Sequence, residues 1–115
     1  MIYEIDQSGK VEDTSKDTVI CIANKQKQYV ILLPRHEKRR LQSYFREKGE
    51  IRNFVIIVFS ILIAHTIRKM HASAVVIDRE YYGREKTIKK IIYMFLGDYR
   101  ADLSFDLIGK KSPAR

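Results

Sequence analysis

Two acidic residues stand where an α/β sheet could put them to chemical use. Asp6 closes the segment Ile2-Tyr3-Glu4-Ile5, directly before Gln7-Ser8-Gly9, and Asp78 closes Ala74-Val75-Val76-Ile77. Both segments read as short strands, the second fully apolar as a buried strand should be. In open α/β sheets ligands collect beyond the carboxyl ends of the strands. A carboxylate at such an end is fixed by the sheet yet reaches solvent. Two of them side by side repel, and a divalent cation relieves that repulsion. Mg²⁺, or Mn²⁺ in its place, takes oxygen ligands and keeps waters, which suits phosphate chemistry.

The elements that must position these residues follow from pattern. Residues 2–6, 18–23 and 29–33 read as three strands, the second and third joined by a polar loop of hairpin length over 24–28. Pro34 stops the third. Residues 35–47 have helical spacing of Leu41, Tyr44 and Phe45. Residues 50–70 form a long apolar segment whose length favours helix over strand despite Val55, Ile56, Ile57 and Val58. A helix apolar nearly all round needs cover on more than one face, and a homodimer through this helix would supply it. Residues 74–77 are a fourth strand and 84–96 an amphipathic helix. Residues 103–108 alternate around Ser104 and Asp106 as a fifth strand. The order predicts one α/β domain over 1–115: a mixed five-stranded sheet, with a three-strand antiparallel meander plus two parallel strands, flanked by helices.

This order, with Asp6 in Ile-Asp-Gln-Ser-Gly-Lys and Asp78 in Val-Val-Ile-Asp-Arg-Glu-Tyr, resembles the ribonuclease H-like superfamily of ribonucleases, resolvases and integrases. The resemblance implies a divalent-metal-dependent nuclease with Asp6 and Asp78 as ligands. It also implies a Glu near the start of the first long helix. Glu50 occupies that place, where the helix dipole alone would also favour it. A further Asp or His is implied on a helix after the last strand; the sequence reaches Ser112-Pro113-Ala114-Arg115 where that helix would begin. Glu80 reads as a solvated loop carboxylate rather than a ligand, and Asp106 as solvent-facing. Tyr81 and Tyr82 could stack bases, but packing of their loop is the plainer reading.

Charge agrees with a polyanionic partner. Lys and Arg number 22 against 14 Asp and Glu, a net charge of +8. Arg35, Lys38, Arg39 and Arg40 on the polar helix, and Lys86, Lys89 and Lys90 on the later one, are the residues expected to hold the phosphates of RNA or DNA. The alternative is a nucleic-acid-binding or dimeric assembly module on the same fold without hydrolysis. The lone Cys21 allows no internal disulfide, no Cys/His cluster has zinc spacing, and no phosphate-loop or serine-nucleophile motif occurs. His65, within the apolar segment, reads as a packed histidine rather than a ligand. The apolar stretch over 54–67 falls short of the roughly 20 residues that span a bilayer, so a membrane is not expected. Met1–Asp6 has no secretory pattern, which puts the expected location in the cytoplasm.

Overall fold

A computed structural model describes residues 1–108. Strand β1 (Ile2–Ser8) turns through a polar loop into β2 (Thr18–Ala23). The loop is tied down at Gly9, whose φ of 73° suits glycine and whose carbonyl accepts the Thr18 hydroxyl at 2.6 Å. A Cβ here would overlap the Asp17 carbonyl oxygen. β2 turns into β3 (Gln28–Leu33) through Asn24, whose side-chain oxygen accepts the Gln26 and Lys27 amides at 2.8 Å each. Such a side chain replaces the ladder bonds that a reversing chain loses.

Pro34 then starts α1 (Arg35–Glu47). A 3-10 turn (Ile51–Asn53) leads into α2 (Phe54–Met70). The β-branched run that competes for a strand is thus helical. Its polar groups are satisfied within the helix: the Ser60 hydroxyl donates to the Ile56 carbonyl and Thr66 to Ile63. His71, at φ 52°, ends α2 in the left-handed cap usual for helices, with the Ala72 amide returning to the Ile67 carbonyl at 3.0 Å. Strand β4 (Ala74–Asp78), helix α3 (Glu85–Leu96) and strand β5 (Asp102–Asp106) complete the order.

The five strands form one mixed sheet in the order β3-β2-β1-β4-β5. β2 is antiparallel to both β1 and β3, and β4 is parallel to both β1 and β5. This is the predicted meander plus two parallel strands. One face of the sheet carries Ile5, Ile20, Ile22, Val75 and Ile77, all buried against Phe54, Phe59, Ile63 and Ile67 of α2 and Ile88 and Ile92 of α3. Leu41 and Phe45 bring α1 onto the same core. Burying each such side chain contributes about 1.5–3 kcal/mol. All three helices therefore gather on one face.

Helix α2 lies at the centre of this layer, and that position accounts for its apolar character. The 3-10 turn and α2 together, 20 residues, pass the length and composition of a membrane-crossing helix, but half of that stretch is buried within the protein. Residues 109–115, the basic tail and the place of the implied last helix, lie outside the described residues.

Candidate metal centre

The parallel register pairs Ile5 of β1 with Ile77 of β4, which sets the next residues, Asp6 and Asp78, side by side at the carboxyl ends of their strands. Ile5 and Ile77 are core residues, so strand alternation turns Asp6 and Asp78 to the opposite face. Glu80, two residues past Asp78, returns to the same side. One carboxylate oxygen from each of Asp6, Asp78 and Glu80 lies within 4.8 Å of the other two. The two aspartates are thus brought together as their sequence positions predict. Glu80, which reads from sequence as a solvated loop carboxylate, completes the group.

Glu50 is not part of this cluster. Its carboxylate accepts the Asn53 side-chain amide at 2.7 Å, at the exposed entry to the 3-10 turn. Asp106 stands opposite Asp78 in the β4–β5 register, exposed, with its carboxylate accepting the Leu107 amide. The signal that could have found Glu80 is its spacing: Asp-x-Glu running off a strand end keeps both side chains on one face.

The backbone fixes each ligand candidate. Asp78 is buried, and its Oδ1 accepts the Ile108 amide at 2.9 Å, so the chain leaving β5 braces it. Asp6 Oδ1 accepts the Gln7 amide at 2.8 Å. Glu80 sits in a loop held by Tyr81. The Tyr81 ring packs edge-on to Phe59 at 4.9 Å, and its hydroxyl lies 3.0 Å from Glu12 Oε1 and 3.3 Å from Gln7 Oε1. Burial pushes the Tyr81 phenol above its ordinary pKa. Tyr81 is thus a packing residue, as its plainer reading holds. Arg79, next to Asp78, turns away to the Phe105 carbonyl at 3.2 Å and to Glu85 at 3.5 Å.

The electrostatics of the cluster show most clearly at Glu80, whose pKa is pushed up to about 7. Partial burial is the largest cause. The hydrogen bond with Asp78, and then the charges of Asp78 and Asp6, add to it, against a smaller opposing pull from Lys10. Burial and the two neighbouring aspartate charges thus both favour the protonated form of Glu80. Asp6 also acts on Cys21, its partner across the β1–β2 ladder, where burial and then the Asp6 charge raise the thiol pKa.

Of the predicted phosphate-binding residues, Lys38 is fully buried; its ammonium donates to the Asp13 carbonyl at 2.7 Å and the Lys10 carbonyl at 3.1 Å. Desolvation lowers its pKa, against the pull of Asp13, Asp17 and Glu12. It stitches α1 to the β1–β2 loop. Arg39 reaches the Thr14 carbonyl, Arg35 pairs with Asp17 and Arg40 with Glu37, all at the surface. Lys86 and Lys90 are exposed and Lys89 is half-buried. His65 packs beside Tyr29, its Nε2 3.2 Å from the phenol oxygen.

No family model, curated protein or solved structure matches the chain. Fold and geometry define it as a mixed five-stranded α/β protein with three carboxylates converging at the carboxyl edge of its two central strands.

Proposed function

We propose that this chain is a divalent-metal-dependent phosphodiesterase acting on nucleic acid, with a ribonuclease H-like fold. The single observation that carries the reading is the convergence of Asp6, Asp78 and Glu80. The donor set suits a hard cation. An octahedral ion at about 2.1 Å from its ligands holds neighbouring oxygens about 3 Å apart and opposite ones about 4.2 Å apart. Oxygens already within 4.8 Å reach those spacings by small rotations of side chains. Mg²⁺ or Mn²⁺ bound there would supply Lewis-acid stabilisation of phosphoryl charge.

The chain's own residues have separate tasks. Asp78, clamped by the Ile108 amide, is the rigid member. Asp6 sets the spacing from the neighbouring strand. Glu80 gives up its proton when the site fills, so occupancy rises with pH through the neutral range. Arg39, Arg40, Lys86 and Lys90 lie outside the cluster, where a polyanion's phosphates would meet them.

The test is cleavage of single-stranded RNA, DNA and a hybrid duplex with Mg²⁺ or Mn²⁺, beside calorimetric titration of Mn²⁺. Wild type binds the ion and cleaves one of these substrates, whereas Asp78→Asn does neither. Binding without cleavage would favour the non-catalytic module, to which the position of Glu50 outside the cluster also lends weight. Failure of Mn²⁺ to bind removes the proposal.

A further inference from the structure

The sheet has a second face, and no described helix covers it. Alternation puts Ile2, Glu4, Asp6 and Ser8 there from β1, with Val30 and Leu32 from β3 and Asp102, Ser104 and Asp106 from β5. Ile2 is 60% exposed, Val30 48% and Leu32 53%. The surface is therefore partly apolar. Its strand positions are also of one sign: they hold Glu4, Asp6, Asp78, Asp102 and Asp106 and no Lys or Arg, with Lys25 of the β2–β3 turn standing beside Glu4.

The complementary surface exists on the same molecule. Helix α3 buries Ile88, Ile92 and Leu96, with Ile91 half-buried against the same core. Lys86 and Lys90 lead its outer stripe, and Tyr93 and Met94, 42% and 69% exposed, end it. The stripe is basic at one end and apolar at the other. Twelve residues of helix are about 18 Å long, and five strands are about 19 Å across. Below Glu4 the bare face dips into a hollow of about 320 Å³ lined by Met1, Ile2, Glu4, Asn24, Lys25 and Gln26, which offers an apolar side chain a seat.

We infer that α3 of a second copy docks on the bare face of the sheet. Lys86 and Lys90 meet Glu4 and Asp102, and Met94 enters the hollow beside Ile2. A sheet-to-sheet pair would set carboxylates against carboxylates, so charge disfavours a two-fold contact through this face. The contact is head-to-tail, joining unlike surfaces, and it propagates into a ring or an open chain of copies. It lies toward the amino end of β1, away from the Asp78–Glu80 edge, and stands independently of the metal-site reading.

Sedimentation velocity over a concentration series tests this, at low salt and at about 1 M salt, where the screening length is about 3 Å. Wild type self-associates beyond a dimer at low salt and loses most of that association at high salt. One variant, Glu4→Lys with Asp102→Lys, reverses the sheet face; a second, Lys86→Glu with Lys90→Glu, reverses the helix. Each weakens self-association at least about tenfold. All four positions are at the surface, and circular dichroism verifies that both variants fold. Mixing the two restores association: the first variant's native α3 meets the second's native sheet face, and the second's reversed helix meets the first's reversed sheet face, so copies of the two alternate. A wild type monomeric at every concentration overturns the inference. So does a closed two-fold dimer, or association that neither variant weakens.

Discussion

At Glu80 and Lys38 the structure places charge where burial makes it costly, and the two respond differently. The carboxyl of Glu80 titrates near 7 in the fold instead of at its ordinary value of 4.5. A raised carboxyl pKa means that the folded protein holds the proton more tightly than the unfolded chain. The stabilising effect of that proton is present below about pH 4.5 and is lost as pH rises toward 7. Glu80→Gln keeps a neutral group there at all pH values. The variant should therefore gain about 1 kcal/mol over wild type between about pH 5 and about pH 8, a figure discounted for solvent screening of a part-exposed group. Urea midpoints at the two pH values measure it. Added Mn²⁺ should reverse the order by stabilising the wild type alone, and a wild type unmoved by the ion would count against the metal site. Lys38 responds through its hydrogen bonds. Its ammonium satisfies the Lys10 and Asp13 carbonyls in a place closed to water. Lys38→Met keeps the stem but strands both acceptors, at a cost of about 1–3 kcal/mol in chemical denaturation. Sequence carries no signal for the role of Lys38 and only the Asp-x-Glu spacing for that of Glu80. A lysine in a basic helix looks like a solvated charge until the loop that folds over it is known, and Glu80 joins Asp6 only through a register set by distant residues.

At the level of elements, much was legible. The 18–23 strand, the 35–47 helix and the break at Pro34 agree with the structure, because each is bounded by turn chemistry and carries one clear period. The long apolar segment divides into a 3-10 turn and α2, and the last strand spans Asp102–Asp106 rather than reaching 108. Leu107 and Ile108 continue an apolar alternation that outlasts the ladder, since Ile108 has left the sheet to brace Asp78. What sequence did not reveal is that α1, α2 and α3 lie on one face, since alternation in β1 shows which side is buried but not what covers it. Tyr81 helps fix the loop between β4 and α3 through its ring and its hydroxyl. Phe59, at the middle of α2, supports the Tyr81 ring and through it the loop bearing Glu80. Phe59→Ala should cost about 3–5 kcal/mol, with a melting temperature lowered accordingly. Tyr81→Phe keeps that packing and removes only the hydroxyl bonds to Gln7 and Glu12, so it should cost about 1 kcal/mol while weakening Mn²⁺ affinity by loosening Glu80. A Tyr81→Phe protein with unchanged ion affinity would show that the loop is held by packing alone. At the carboxyl end of β1, Gly9→Ala drives a methyl into the Asp17 carbonyl in a left-handed backbone.

Among the described residues charge is unevenly divided: the strands carry five carboxylates and no Lys or Arg, whereas the helices and loops carry both signs with lysines and arginines in excess. A polyanion approaching such a molecule is drawn to the helical layer and repelled by the open sheet except at the carboxylate cluster, where a divalent cation would offset most of the charge and offer a phosphate oxygen a ligand position. Nucleic-acid binding and cation binding should therefore separate experimentally. Affinity for a single-stranded oligonucleotide, followed by fluorescence anisotropy, should fall steeply with salt. For single strands the logarithmic slope is about −0.7 per phosphate neutralised. Arg39→Ala with Arg40→Ala removes two exposed charges that bind carbonyl and carboxylate only at the surface. That variant should lower the slope by about 1.4 and leave Mn²⁺ binding intact. Asp78→Asn should do the converse, abolishing ion binding while leaving the salt slope in metal-free buffer unchanged. A slope unaltered in the double arginine variant would place the phosphate contacts elsewhere on the basic layer, with Lys86 and Lys90 of α3 next in turn. Those two lysines cannot hold phosphate and a neighbouring copy's Glu4 and Asp102 at once. Oligonucleotide binding through α3 would therefore dissolve the head-to-tail assembly, whereas binding through α1 would leave it standing.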